Sequence, residues 1–263
     1  MLMLTHTWIL KEFIGQSRIS DDILDLFTYN VSPDMLCFHK DVTADMTHAI
    51  LRFCNLPKEH MKAAFVHFHL LVDDIAHHGR IDTNIVKEFN PYSKGYTYIK
   101  GKPLIVPMTN LYKKIGKDTS FENICYQTHM IIEMMFDLTL HFGQGNNELL
   151  SLFCHSINYT AEKRIDQYSE TLGWLIGISK ETVAMALQSG QKACTLEKMN
   201  HLMNMNGRIN TFMNRFGLDR NDNSSWKGVE NLMNQGRELV ADYEDFLYPT
   251  IKTIKDAGFH NPL

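Results

Sequence analysis

Residues 63–78, AAFVHFHLLVDDIAHH, read as one apolar helix that carries His69, Asp73 and His77 four residues apart. At 3.6 residues per turn this spacing stacks the three side chains along one face. A second stretch, HMIIEMMFDLTLH over 129–141, repeats the pattern with His129, Glu133, Asp137 and His141. Burying unpartnered imidazoles and carboxylates among so many apolar neighbours costs on the order of several kcal/mol each. Coordination of a metal ion removes that cost. Two such helices therefore read as facing walls of a multinuclear metal site. Asp137 is expected to steady a ligand imidazole from behind, and His141 fits either that role or the surface.

Outward from these stripes the chain reads as helical nearly throughout. Trp8, Ile9, Phe13 and Ile14 recur at helical spacing over 5–15. Pro33 disfavours helix at Ser32, so 31–36 is expected to be a break. A helix over about 41–53 follows, with Asp41 or Thr43 as its cap. The long helix that begins at Pro57 is expected to stop at Gly79. Residues 80–107 hold Pro91, Pro103, Pro107, Gly95 and Gly101 and read as a long excursion or a short hairpin at YTYI. Its Tyr92, Tyr96, Tyr98, Lys94, Lys100 and Lys102 suit a substrate rim, or equally a solvated loop. Further helices are expected at about 120–142, 146–172, 180–190, 193–216 and 226–256. The expectation is one all-α domain over 1–263, a multi-helix bundle with a metal cluster between helices. Residues 1–142 would bear the ligands and 143–263 would support them.

Bulk properties narrow the function. The 263 residues are enough for a substantial core. A net charge of −4 gives no reason to expect nucleic acid as an obligate partner. Five scattered cysteines, none in a CxxC pair, indicate neither a disulfide framework nor a thiolate zinc site. The start, MLMLTHTWILKEF, lacks the features of a signal peptide, and no run of 18 apolar residues suggests a membrane span. A cytoplasmic location is therefore expected. The 15 methionines are best read as filling helical cores.

Four further residues extend the ligand set: His6 in the first helix, Asp34 after Pro33, and then His39 or His48. Imidazole nitrogens and carboxylate oxygens are what zinc accepts, and catalytic zinc sites leave a position for water. The ordered set His6, Pro33-Asp34, a following His, His69-x3-Asp73-x3-His77 and His129-x3-Glu133 resembles the zinc-dependent phospholipase C family, related to the fungal single-strand nucleases. The likeness covers roughly residues 1–140. It implies an all-α fold holding two or three Zn2+ ions. Asp34, His48, His69 and Asp73 would surround one ion. Asp73 would bridge to a second held also by His6, and His77 or His78, with His129 and Glu133, would hold the third. Asp34, or the water it orients, would supply the base for hydrolysis of a phosphodiester. Secreted members of that family use their N-terminal residue as a ligand, whereas five residues precede His6 here.

The expected activity is thus a metal-dependent, phospholipase C-like phosphodiesterase acting on a small-molecule or phospholipid substrate. The alternative is a metal-binding relative without catalysis. No adjacent His-Asp pair and no Glu-x-x-His repeat supports the other helical metal-hydrolase or di-metal oxygenase classes.

Overall fold

A computed structural model describes residues 2–15, 19–81, 93–143 and 147–260. Among them every regular element is helical and there is no strand. The helices nearest the ligand stripes are α1 (Met3–Ile14), α2 (Asp21–Met35), α3 (Ala44–His48), α4 (Ala64–His78), α5 (Tyr96–Gly101), α6 (Ile105–Lys114) and α7 (Phe121–Gly143). They are followed by α8 (Glu148–Lys163), α9 (Ile165–Ile176), α10 (Lys180–Ala193), α11 (Leu196–Leu202), α12 (Met205–Arg215), α13 (Asn223–Leu239) and α14 (Glu244–Asp256). No described helix is long and apolar enough to cross a membrane.

Helix α4 lies at the centre. Phe65, Phe68, Leu70, Leu71 and Val72 are wholly buried, packed toward α2, α5 and α14. Helix α7 packs against α5 and α13, and α1 against α2, α7 and α8. The second half of the chain therefore wraps the helices that carry the ligand-type residues: α8 backs α1 and α2, and α10 backs α8 and α9. Gly79 ends α4 in the left-handed region at φ 74°, where its N–H bonds to the carbonyl of Ile75. A residue with a Cβ is strained there.

Several boundaries differ from the sequence reading, each for a local reason. No break occurs at Pro33: α2 runs through it to Met35. So near the end of a helix Pro33 deprives only the carbonyl one turn earlier, and the buried side chains of Leu26, Phe27 and Val31 outweigh that loss. The expected helix over 41–53 shrinks to the five residues of α3, capped by Thr43, whose side chain accepts from the Met46 N–H. The stretch YTYI is no hairpin but the body of α5, while Tyr92 lies outside the described residues. The expected helix over 146–172 splits at Arg164, whose φ of −133° leaves the helical region. That over 193–216 splits where Asn204 caps α12 by accepting from the Gly207 N–H. The last splits between α13 and α14.

Helix α1 is tied to α7 by one carboxylate. Asp137 accepts from the N–H groups of Leu4 and Thr5, at 3.3 and 2.9 Å, and from the Thr5 hydroxyl at 2.6 Å. These N–H groups belong to the first turn of α1, where the helix supplies few acceptors of its own and only that of Thr5 also reaches the Leu2 carbonyl, at 3.1 Å. A negative charge there also complements the helix dipole. Arg208 of α12, also buried, lies 3.7 Å from the same carboxylate. Asp137→Ala is expected to lower stability by about 3 kcal/mol, because it strips α1 of its cap and leaves Arg208 without its counter-ion. Urea denaturation measures the loss, and faster amide exchange confined to α1 locates it. An unchanged midpoint would show that α1 docks without this carboxylate.

Candidate metal centre

Four short-range features of the chain converge on α4. Its ligand face presents His69 and Asp73 one turn apart, with His77 a turn further on. From α1, His6 reaches Asp73, with Nε2 3.2 Å from Oδ1. From α3, His48 Nε2 lies 3.5 Å from the other Asp73 oxygen and 3.7 Å from Asp34. From the last turn of α2, Asp34 comes within 4.0 Å of His69 Nε2. Asp73 is thus shared: one oxygen faces His6, and the other faces His48 and His69, the latter at 3.2 Å. Along the same α4 stripe, His77 Nε2 sits 2.8 Å from Glu133 of α7, and His129 Nε2 sits 3.3 Å from that same oxygen.

Three groups of donors result, in each of which the ligand atoms lie within 4.8 Å of one another: His6, His69 and Asp73; Asp34, His48 and His69; and His77, His129 and Glu133. All eight residues singled out in the sequence therefore fall into these groups. His48 joins Asp34, whereas His39 turns instead toward Asp41 at 3.9 Å. His77, rather than His78, faces Glu133. His141 stays half-buried and outside the groups, its pKa lowered by burial and by Arg208. Asp137 steadies no imidazole; it acts on α1, two residues from His6.

The hydrogen bonding of the rings suits metal ligation. His48 Nδ1 is 3.0 Å from the Ala44 carbonyl, and His129 Nδ1 is 2.8 Å from the Tyr126 carbonyl. A backbone carbonyl only accepts, so each Nδ1 carries a proton and each Nε2 is left facing the carboxylates. His69 is wholly buried, and neither of its ring nitrogens makes a hydrogen bond of proper geometry. It stacks on His6 with ring centres 3.7 Å apart. Burial, aided by His6, brings its pKa down to about 4, so the ring is neutral near pH 7. A neutral, enclosed imidazole with an unsatisfied nitrogen beside a shared carboxylate fits a divalent cation, and the all-nitrogen-and-oxygen donor set fits zinc.

Charge around the first two groups is strongly mutual. Burial raises the Asp34 pKa, and the Asp73 charge raises it further against the opposing pull of His69 and His48. Burial disfavours charge on His48, but Asp73 and Asp34 outweigh it and raise its pKa. The cluster is open on one side: the side chains of Asp34, His48 and His77 are 28%, 30% and 28% exposed, whereas His6 and His69 are at 0%.

Supporting residues complete the site; Arg52 and Asn30 are not singled out by the sequence, and Tyr98 is expected there only as a rim residue. Tyr98 of α5 stacks on His129 with ring centres 4.9 Å apart. Arg52, in the irregular chain after α3, forms a two-pronged bond to Asp74 at 3.0 and 2.8 Å. The side chain of Asn30 donates to the His6 carbonyl at 2.9 Å. None of these has a spacing signal, because each partner is distant in the chain. Tyr96 and Lys100, read as possible rim residues, both bond to Asp245 of α14 instead.

The end of α4 is held by the chain that enters α5. Ser93 donates its hydroxyl to the His77 carbonyl, and Thr97 donates to that of Ala76 at 3.0 Å. Gly95 lies so close that an added Cβ would overlap the backbone of His77.

No protein-family model matches this chain, and no curated protein or solved structure matches it.

Gly95→Ala is expected to destabilise the protein by about 1–3 kcal/mol, because backbone cannot yield as a flexible side chain does. The same substitution should move His77 away from Glu133 while leaving the pairing of His6 with Asp73 in place. Nitrogen-15 spectra of the histidine rings separate the two. Unmoved His77 signals would show that the loop, not α4, absorbs the change.

Proposed function

We propose that this protein is a metal-dependent phosphoric-ester hydrolase, using zinc and acting in the manner of phospholipase C. The observation that carries the proposal is the convergence of five histidines and three carboxylates into three adjoining groups, with His69 buried and unsatisfied among them. An ion-pair network has little use for His69, because a neutral, wholly buried imidazole neither balances a carboxylate nor finds a hydrogen-bond partner there. The resemblance of the ordered motifs to the zinc-dependent phospholipase C family supports the same reading.

His6, His69 and Asp73, then Asp34 and His48 with His69, and finally His77, His129 and Glu133, would hold the ions. When bound, zinc supplies Lewis acidity toward a phosphoryl oxygen and lowers the pKa of water. The residues of the chain do the rest. Asp34 stands at the open edge of the cluster, where its carboxylate can take a proton from an approaching water. Carbonyls of Ala44 and Tyr126 keep the His48 and His129 rings in one tautomer. Asp73, fixed between His6, His48 and His69, holds the first two groups at constant separation. The exposed side favours a substrate whose charge is compact and negative, which a phosphoester is.

Purified protein is expected to contain two or three equivalents of zinc and to hydrolyse bis-(p-nitrophenyl) phosphate, with turnover abolished by a chelator and restored by zinc. Removal of metal should also lower the thermal midpoint, because an ion that binds only the folded state stabilises it by about 3–4 kcal/mol at 100 to 1,000 times its dissociation constant. Asp34→Asn should reduce kcat by about 100-fold or more while most of the metal stays bound. Full activity in that variant would overturn the role given to Asp34. Tight metal with no hydrolysis of any phosphoester would leave a metal-binding protein without this catalysis.

A further inference from the structure

We propose that Arg52, paired with Asp74, is a positioning residue that sets His48 against Asp34 and Asp73. This inference rests on the metal-centre reading for its consequence, though not for its geometry. Helix α3, which carries His48, has only five residues. So short a helix is marginal by itself, and the bond of the His48 ring to the Ala44 carbonyl holds only as long as the helix does. The chain that follows, residues 49–56, has no regular structure. Something outside α3 must therefore hold His48 in place.

Two contacts do so: the Thr47 hydroxyl donates to the Pro33 carbonyl at 2.8 Å, and Arg52 grips the backbone of His48 itself. Arg52 is 6% exposed, and four of its contacts are hydrogen bonds. Its Nε and Nη2 donate to the two oxygens of Asp74 at 3.0 and 2.8 Å. Its Nη1 donates to the carbonyl of His48 at 2.9 Å and to that of Ile50 at 2.8 Å. One rigid guanidinium thus joins α4 to the backbone of His48 itself. Asp74 directly follows the shared carboxylate Asp73 in α4 but projects from a different face, so the same helix turn carries the ligand and the anchor of the opposing ligand. Seven residues earlier on that face, His67 Nε2 lies 3.7 Å from Cys54 Sγ, a second attachment of the same strap.

Residues spaced by seven on a helix share a face, so His67 and Asp74 form one gripping edge opposite the His69 stripe. A lysine could neutralise Asp74 but could not also reach two carbonyls in the fixed fork of a guanidinium. The arrangement therefore does more than balance a buried charge. It ties the position of His48 to that of Asp73 through a single planar group.

The test uses two variants. Arg52→Met with Asp74→Leu removes both charges together, so that no buried ion is stranded. Arg52→Lys keeps a charge beside Asp74 but loses the fork, and serves as the test if the double variant does not fold. In metal-free protein, nitrogen-15 spectra of the histidine rings should show the His48 signals moved or broadened, with His77 and His129 unchanged. His48→Ala identifies its signals by their disappearance. Unmoved His48 signals in Arg52→Lys, or in the folded double variant, overturn the proposal. With zinc present, the affinity of the equivalent that depends on His48 should fall about 10–100-fold. Adding either variant to His48→Ala should cause no further loss, whereas multiplying losses would show that Arg52 does not act through His48. A wild-type protein that takes up no zinc sinks the hydrolase reading, while the ring spectra still decide the role of Arg52.

Discussion

The sharing of Asp73 among three imidazoles is the constraint on which the rest of the structure depends. Its carboxylate is buried on the central helix and faces His6 from α1, His48 from α3 and His69 from its own helix. A buried carboxylate needs partners on both oxygens. Drawing imidazoles from α1, α3 and α4 itself to within 3.2 to 3.5 Å of one carboxylate ties the relative placement of these helices to it. Apolar packing alone would allow these helices to slide or rotate by small amounts. The polar centre does not.

Each helix that delivers a ligand is held by a separate device away from the ligand atoms. Asp137 caps the first turn of α1 and stands close behind His6. The carbonyl of Pro33, next to Asp34, receives the Thr47 hydroxyl at 2.8 Å, which links α2 to the residue before His48. Ser93 and Thr97 fasten the carbonyls at the end of α4 beside His77. The ligand side chains are thus placed by backbone contacts of their neighbours, which leaves their ring nitrogens and carboxylate oxygens directed at one another. Preorganisation of this kind is what a metal centre requires if ions are to bind without first reorganising the protein.

Enclosure and exposure divide the labour within the cluster. The zero exposure of His6 and His69 keeps water from their side, so electrostatic interactions there are strong. Asp34, His48 and His77 are partly exposed, and in the proposed reading they carry the parts of the site that a substrate would meet. The proposed chemistry follows from this asymmetry. Charge is concentrated at the floor, and proton acceptance is placed at the rim.

Much of this was legible in the chain before folding. The four-residue periods of His69, Asp73 and His77, and of His129 and Glu133, are local geometry, and an α-helix preserves them whatever else happens. The helical class was equally legible, because apolar residues recur with that period over most of the chain. Boundaries were less so: Pro33 reads as a break by local sterics, yet burial of Leu26, Phe27 and Val31 carries α2 through it. The choice between His39 and His48, and between His77 and His78, is also not local, since neighbouring residues differ only in which face the folded helix turns inward. Arg52, Asn30 and Tyr98 have no periodicity at all, and Asp137, though in step with His129 and Glu133, bonds to α1; the partners of all four lie 22 to 133 residues away. The sequence by itself determined which residue types line up on each helix. Only the tertiary structure decided which helices face each other and which atoms hold them there, because long-range contacts depend on packing that no local period encodes.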